Sequence, residues 1–227
     1  MARPRSDIRH RIVLAARKRF LAEGVDGASM RAIASDAKTS LGMITYYFAS
    51  KDELFLAVLE DVYEKLLHDL EARLAGPAPV RERLRAAILR VGGATDDEVE
   101  VIRLVLREAL VSSSRLDRVI ERFRRGHLPL MVATIADAQR EGLVRADVPL
   151  PLAAISIFAT GILPQLARRF AAERVPLIVD MIPAGDALVD LALDTALRGV
   201  GAAPSSPSGR ENREAAKEKK KRAKREN

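Results

Sequence analysis

Cysteine is absent from this chain of 227 residues, tryptophan is absent too, and aromatics make up only 4% of it. Without a thiol there is no disulfide framework, no cysteine nucleophile and no thiolate metal site. The scarcity of aromatics and of long alternating β-branched runs argues against a large β-sandwich. No His/Asp/Glu group has metal-site spacing, and no glycine-rich phosphate loop occurs, so neither a metal nor a cofactor is expected. No paired carboxylates or nucleophile–base set stands out, which makes an enzyme the weakest reading. The opening Met1-Ala2-Arg3-Pro4-Arg5-Ser6-Asp7 lacks the apolar stretch of a signal peptide. A cytoplasmic location is the expectation.

What is present is Ala, Leu, Arg and Glu in quantity, the composition of an all-α protein. Breakers divide the chain into about nine helices: 6–23, 30–37, 41–48, a helix from 51 to about 74, 80–92, 97–112, a long helix over 115–141 bent at Pro129, 152–173 and 184–199. The run Val148 to Ala167 carries no charge over 20 residues, long enough to cross a bilayer. Pro149, Pro151, Pro164 and Gln165 weaken that reading, and a buried helix in a bundle or a subunit interface is favoured; no membrane partner is expected. Net charge is +7 and unevenly spread. Residues 1–51 hold ten Lys/Arg against four acids, and residues 210–227 hold nine against four, so the stretch between is acidic. A basic head suits attraction to phosphates, although a solvated Arg-rich face is the plainer alternative. The tail, 201–227, is low-complexity and expected to be disordered; it serves either solubility or nonspecific attraction to nucleic acid.

The stretch from Ser29 to Phe48 is the most informative. Ser29 is placed to cap a helix in which Met30, Ile33, Ala34 and Ala37 share one face. Lys38-Thr39-Ser40 breaks the pattern, and Ser40 is placed to cap a second helix from Leu41. In that helix Ile44, Tyr47 and Phe48 fall on one side and are expected to pack inward. Steps of about 100° per residue put Leu41, Gly42, Thr45 and Tyr46 outward, with Met43 at the boundary. Ser50 and Glu53 then form a capping box for the next helix. Two short helices around a tight turn are a common way to set a side-chain ridge in the major groove of DNA.

These residues resemble the helix-turn-helix of the TetR/AcrR family of bacterial transcriptional regulators. The resemblance rests on Ile33-Ala34, Ser40, Gly42, Ile44, Tyr47-Phe48, Ser50-Lys51 and Leu54, with Ile8, Ile12, Ala16, Phe20, Gly24 and Gly27 upstream. It covers roughly residues 6 to 60. The turn carries Lys38 where the family usually has Gly. A left-handed Lys38 would be strained by something on the order of 1 kcal/mol, which a differently shaped turn would avoid. Leu41, Met43 and Thr45 also depart from the usual pattern and bear on base preference.

The resemblance implies a helix-turn-helix head over 1–50, with its helices in 29–48, and a ligand-binding and dimerisation body over 51–200. It implies a regulator, usually a repressor, that binds an inverted-repeat operator in double-stranded DNA as a homodimer and is released by a small-molecule effector. Candidate DNA contacts are Ser29, Arg31, Thr39, Ser40, Leu41, Met43, Thr45, Tyr46, Tyr47 and Lys51, with Arg31 reading bases and Lys51 gripping phosphate. Arg3 and Arg5 either enter the minor groove or belong to a disordered terminus. The dimer would form through the last two helices, over 152–170 and 188–197. Candidate pocket residues are Arg103, Arg107, Glu108, Phe123, His127, Met131, Phe158 and Gln165. Arg107 and Glu108 are the best polar pair, a salt bridge or solvated edge being the alternative.

Overall fold

Ile12, Ala16 and Phe20 recur every four residues, and that stripe is the floor on which the N-terminal half is built. The computed structural model describes residues 5–111, 113–172 and 175–200. Arg3 and the expected tail 201–227 lie outside them. Among the described residues there are eleven α-helices and no strand: α1 (Arg5–Gly27), α2 (Met30–Asp36), α3 (Leu41–Tyr47), α4 (Lys51–Leu74), α5 (Val80–Gly92), α6 (Asp96–Val111), α7 (Ser113–Arg124), α8 (His127–Arg140), α9 (Leu150–Ala171), α10 (Pro176–Asp180) and α11 (Gly185–Val200).

The all-helical class is as expected, with two additional helices. The single helix expected over 115–141 is two, α7 and α8, broken at Arg125-Gly126. Pro129 explains the place of the break. It has no N–H to give to the carbonyl of Arg125, and its ring would strike that carbonyl in a continuous helix. In the first turn of a new helix the missing N–H costs nothing. The other addition, α10, is a five-residue helix that opens on Pro176.

Packing divides the chain into two units, residues 1–134 and 135–227. In the first, α1 packs on α2, α3, α4 and α6, and α4 also packs on α5, α6 and α7. One continuous core results. It includes Ile12, Ala16 and Phe20 of α1, Ile33 and Ala34 of α2, Ile44 of α3, Leu54, Phe55 and Val58 of α4, and Val101 and Leu104 of α6. Phe20 and Phe55 meet with ring centroids 6.3 Å apart. The first fifty residues therefore share their core with α4 and α6. α1 is interrupted at Gly24, whose φ of 78° lies where a side chain would be strained. A Cβ there would also meet the guanidinium of Arg107.

In the second unit α9 and α11 lie side by side, with α10 against α9. The inner face of α9 is Ala153, Ala154, Ile157, Phe158, Gly161, Gln165 and Leu166. α11 buries Leu188, Val189, Ala192, Leu193, Ala196 and Leu197. By length and composition α9 is apolar enough to cross a membrane, but one such helix is also what the core of a soluble protein contains. The buried Gln165 amide donates to the carbonyl of Gly161 one turn back, at 2.9 Å.

The tie between the short helix α3 and the common core is Ile44, which is fully buried. Ile44→Ala should lower stability by about 2–5 kcal/mol. Guanidinium unfolding monitored by circular dichroism reads this, and a loss under 1 kcal/mol would contradict the packing described.

Candidate nucleic-acid interface

Three caps fix the geometry of α2, α3 and the start of α4. At the end of α2 the amide of Lys38 donates to Ser35 O and that of Thr39 donates to Ala34 O, both at 3.0 Å. This is the Schellman arrangement, with Lys38 as the left-handed residue at φ 52°. The turn is therefore not reshaped to spare Lys38. At the end of α8 the amides of Gly142 and Leu143 make the same pair of bonds, with Gly142 at φ 73°. Ser40 caps α3 as expected, its Oγ accepting from the Met43 amide at 3.2 Å. Ser29 stands at the N-cap of α2 but makes no side-chain cap bond, so its hydroxyl does not play the role expected. Ser50 Oγ accepts from the Glu53 amide at 3.1 Å. The Glu53 carboxylate accepts from Ala49, one residue earlier than in the simple capping box, at 2.9 Å.

α3 has the two faces that its sequence predicts. Ile44 and Phe48 are buried, and Tyr47 is half-buried beside Phe48. Leu41, Gly42, Thr45 and Tyr46 are exposed, Tyr46 at 68%, and Met43 is intermediate. The Thr45 hydroxyl donates back to its own helix, 3.1 Å from Gly42 O and 3.4 Å from Leu41 O. Its proton is thus committed, and it presents a methyl and lone pairs outward. Thr39 is half-buried and Ser40 exposed.

The two expected charged contacts differ. Arg31 is exposed and makes no ion pair among the described residues. Lys51 is half-buried, and its ammonium donates to the Asp26 carbonyl at 2.8 Å, leaving two protons for other acceptors. Arg19 forks onto Asp36 at 2.6 and 3.0 Å and so ties α1 to α2. That guanidinium holds the Asp36 carboxyl below the usual carboxylate range.

The pocket candidates are distributed over the two units. Arg103 and Arg107 are exposed, and Arg107 reaches back to Leu21 O at 3.5 Å. Glu108 is buried and accepts from Arg115 Nε at 2.5 Å. Arg107 and Glu108 thus serve different partners, and the salt-bridge alternative describes Glu108. Met131 is half-buried in the first unit, whereas Phe158 and Gln165 are buried in the second. Phe123 and His127 do meet, at 4.7 Å between centroids, and both touch the ring of Tyr63. The Tyr63 hydroxyl and His127 Nδ1 are 2.6 Å apart. Burial, aided by the charge of Arg122, pushes the His127 pKa down to about 4. No group of three or more metal-ligating side chains occurs among the described residues.

Sequence reasoning missed Arg115. It is buried, yet bonded to Glu108, Asp26 and Asp52. Two of those partners lie 63 and 89 residues away, and no local pattern signals them.

The family described as "Bacterial regulatory proteins, tetR family" matches residues 12–58, which run from the first core residues of α1 through α2 and α3 into α4. The HTH-type transcriptional repressor SCO4008 of Streptomyces coelicolor is 30% identical over 165 residues, 70% of this chain and 80% of that protein. The chain belongs to the tetR family. The HTH-type transcriptional activator FasR of Mycolicibacterium smegmatis is 29% identical over 113 residues, half of this chain and 52% of FasR. HbdR of Aromatoleum is 30% identical over 110 residues, 47% of its length. The chain thus spans about half the length of these two curated relatives. Among solved structures, the regulator FadR from Bacillus subtilis in complex with stearoyl-CoA has a TM-score of 0.66 at 19% identity, over 84% of this chain and 98% of that one. FadR from Bacillus halodurans scores 0.64 at 20%, over 84% and 98%. Both share the tetR fold.

Two predictions follow from these geometries. Lys38→Gly should stabilise this tetR-family chain by about 0.5–1 kcal/mol, seen as a higher midpoint in urea; an unchanged or lower midpoint would show that Lys38 is not strained. His127 is held neutral in the fold to about pH 4, whereas an unfolded histidine protonates near 6.5. The unfolded chain therefore gains a proton first on acidification, and stability falls as pH drops through that window. Between pH 7 and pH 5 His127 accounts for a loss of about 2 kcal/mol. In His127→Gln that part of the pH dependence should vanish, as read by urea titrations at the two pH values.

Proposed function

We propose that this chain is a DNA-binding transcriptional regulator, a cytoplasmic repressor that grips an inverted-repeat operator as a homodimer and lets go when a small molecule binds. The observation that carries the reading is α3. Its inner face is anchored by Ile44 and Phe48, its start is capped by Ser40, and Leu41, Gly42, Thr45 and Tyr46 stand exposed along the other side. A short rigid helix with one free face, in a head of net positive charge, suits insertion into a major groove.

Phosphate contacts set register and base contacts set sequence. Arg31, exposed in the first turn of α2, is assigned to base edges with Thr39, Ser40, Met43, Thr45 and Tyr46 around it. Lys51 is assigned to a phosphate, which its two remaining protons would meet. Tyr47, with its ring half-buried, offers its hydroxyl to a phosphate. Ser29, its hydroxyl not used as a cap, is available to the backbone as well.

Dimerisation is assigned to α9 and α11. Leu152, Ile155 and Leu163 on α9 and Leu191 on α11 are all more than half exposed, an apolar display that a second copy would cover. The effector is assigned to the body, 51–200. The aromatic group of Tyr63, Phe123 and His127 supplies an apolar wall with a hydrogen-bonding edge. An effector that favours one spacing of the two heads weakens DNA binding, and DNA weakens the effector by the same free energy. Repression is preferred on the name of SCO4008, which aligns over more of its length than the activator FasR.

Footprinting on the intergenic DNA beside the chain's own gene should show a protected palindrome with half-site centres about 34 Å apart, or a multiple of that. Arg31→Ala should weaken the preferred site by about 1–3 kcal/mol and relax specificity, whereas Lys51→Ala should weaken all duplexes alike. A strictly monomeric chain, or no protected site at ordinary ionic strength, would overturn the reading.

A further inference from the structure

One guanidinium in the first unit has more anionic partners than it has charge. Arg115 lies in the first turn of α7, where the helix dipole disfavours a cation, so α7 itself gives no reason for it there. Its Nε donates to Glu108 of α6 at 2.5 Å. One Nη donates to Asp52 in the first turn of α4 at 3.0 Å, the other to Asp26 near the end of α1 at 2.6 Å. The three carboxylates differ in exposure: Glu108 at 3%, Asp52 at 32% and Asp26 at 77%. The buried Glu108–Arg115 pair is the fixed end, because separating it would leave two charges without water. Among the described residues, Arg115 is the ion-pair partner of both outer carboxylates. Lys51 adjoins both residues through the backbone, since it precedes Asp52 in sequence and donates to the main-chain carbonyl of Asp26.

We infer that Arg115 is a positioning residue for the head and also a mask over Asp26 and Asp52. This inference rests on the DNA-binding reading and supplies its regulation. While α7 holds Arg115 in place, the end of α1 and the start of α4 are clamped to α6, and Lys51 faces phosphate with little opposing charge. A rearrangement of α6 and α7 that withdraws the first turn of α7 unclamps those ends. It also uncovers two carboxylates next to Lys51, which then repel the duplex. Release of DNA is thus partly electrostatic. It requires no direct contact between Arg115 and nucleic acid.

The test uses the full chain and a duplex that the wild-type protein selects from a random library. Glu108→Gln with Arg115→Met removes the clamp without leaving a buried lone charge. Affinity should fall about ten-fold near 0.1 M salt, and the deficit should narrow as salt rises, because uncovered carboxylates are screened. Adding Asp26→Asn and Asp52→Asn should restore most of the affinity, although it removes two more hydrogen-bonding groups. A merely structural clamp predicts the opposite, a further loss. Wild-type affinity in the double variant, or no recovery in the quadruple one, overturns the inference. Arg115→Lys, which keeps the charge but cannot fork onto three carboxylates, serves as a second background if the double variant does not fold. Failure of the wild-type chain to select any duplex would instead overturn the DNA-binding reading and with it this inference.

Discussion

A helix of seven residues does not hold together alone in water, because nucleation outweighs the few bonds it closes. α3 persists because Ile44 and Phe48 are buried in a core that α1 and α4 also build. That burial is the constraint on which the head depends. It fixes which side of α3 is inward, so it also fixes which side is free. The cap from Ser40 and the Schellman turn at Lys38 set the entry into α3, and the Ser50–Glu53 box sets the exit. A ridge of exposed side chains is held this way by the core beneath it.

Much of this was legible in the chain, for a physical reason. Inward and outward positions on α3 follow from angular steps alone, and Leu41, Thr45, Tyr46, Ile44 and Phe48 fall where those steps place them. Capping by Ser40 and Ser50 is likewise local, requiring only a hydroxyl three residues before a free amide. What a sequence does not record is which of two permitted outcomes the tertiary environment selects. Lys38 takes the left-handed conformation because the turn between two packed helices demands it, and the side chain accepts the strain. Ser29 occupies the capping position without using it. The break between α7 and α8 was signalled by Pro129, but its effect falls one turn earlier than the residue itself.

The pocket residues were harder to read for a related reason. Adjacent residues on a helix point about 100° apart, so Arg107 and Glu108 never had to share a site. One turns toward the carbonyl of Leu21, the other inward to Arg115. Polar contacts join α6 to α1 at two levels. Arg17 pairs with Asp97 at 2.9 Å and with Glu100 at 3.3 Å near the start of α6, well away from the Arg107 contact. Partly exposed ion pairs add little to stability one by one.

The back-bonded hydroxyl of Thr45 has a chemical consequence for recognition. Polar side chains tell one base pair from another by where they donate and where they accept hydrogen bonds, and guanine offers the major groove acceptors. With that proton turned inward, the middle of α3 offers a methyl and the hydroxyl's acceptor lone pairs beside the isobutyl group of Leu41 and the thioether of Met43. Placed in a major groove, as proposed above, such a surface would suit the 5-methyl of thymine and the contour of the duplex better than the acceptor edge of guanine.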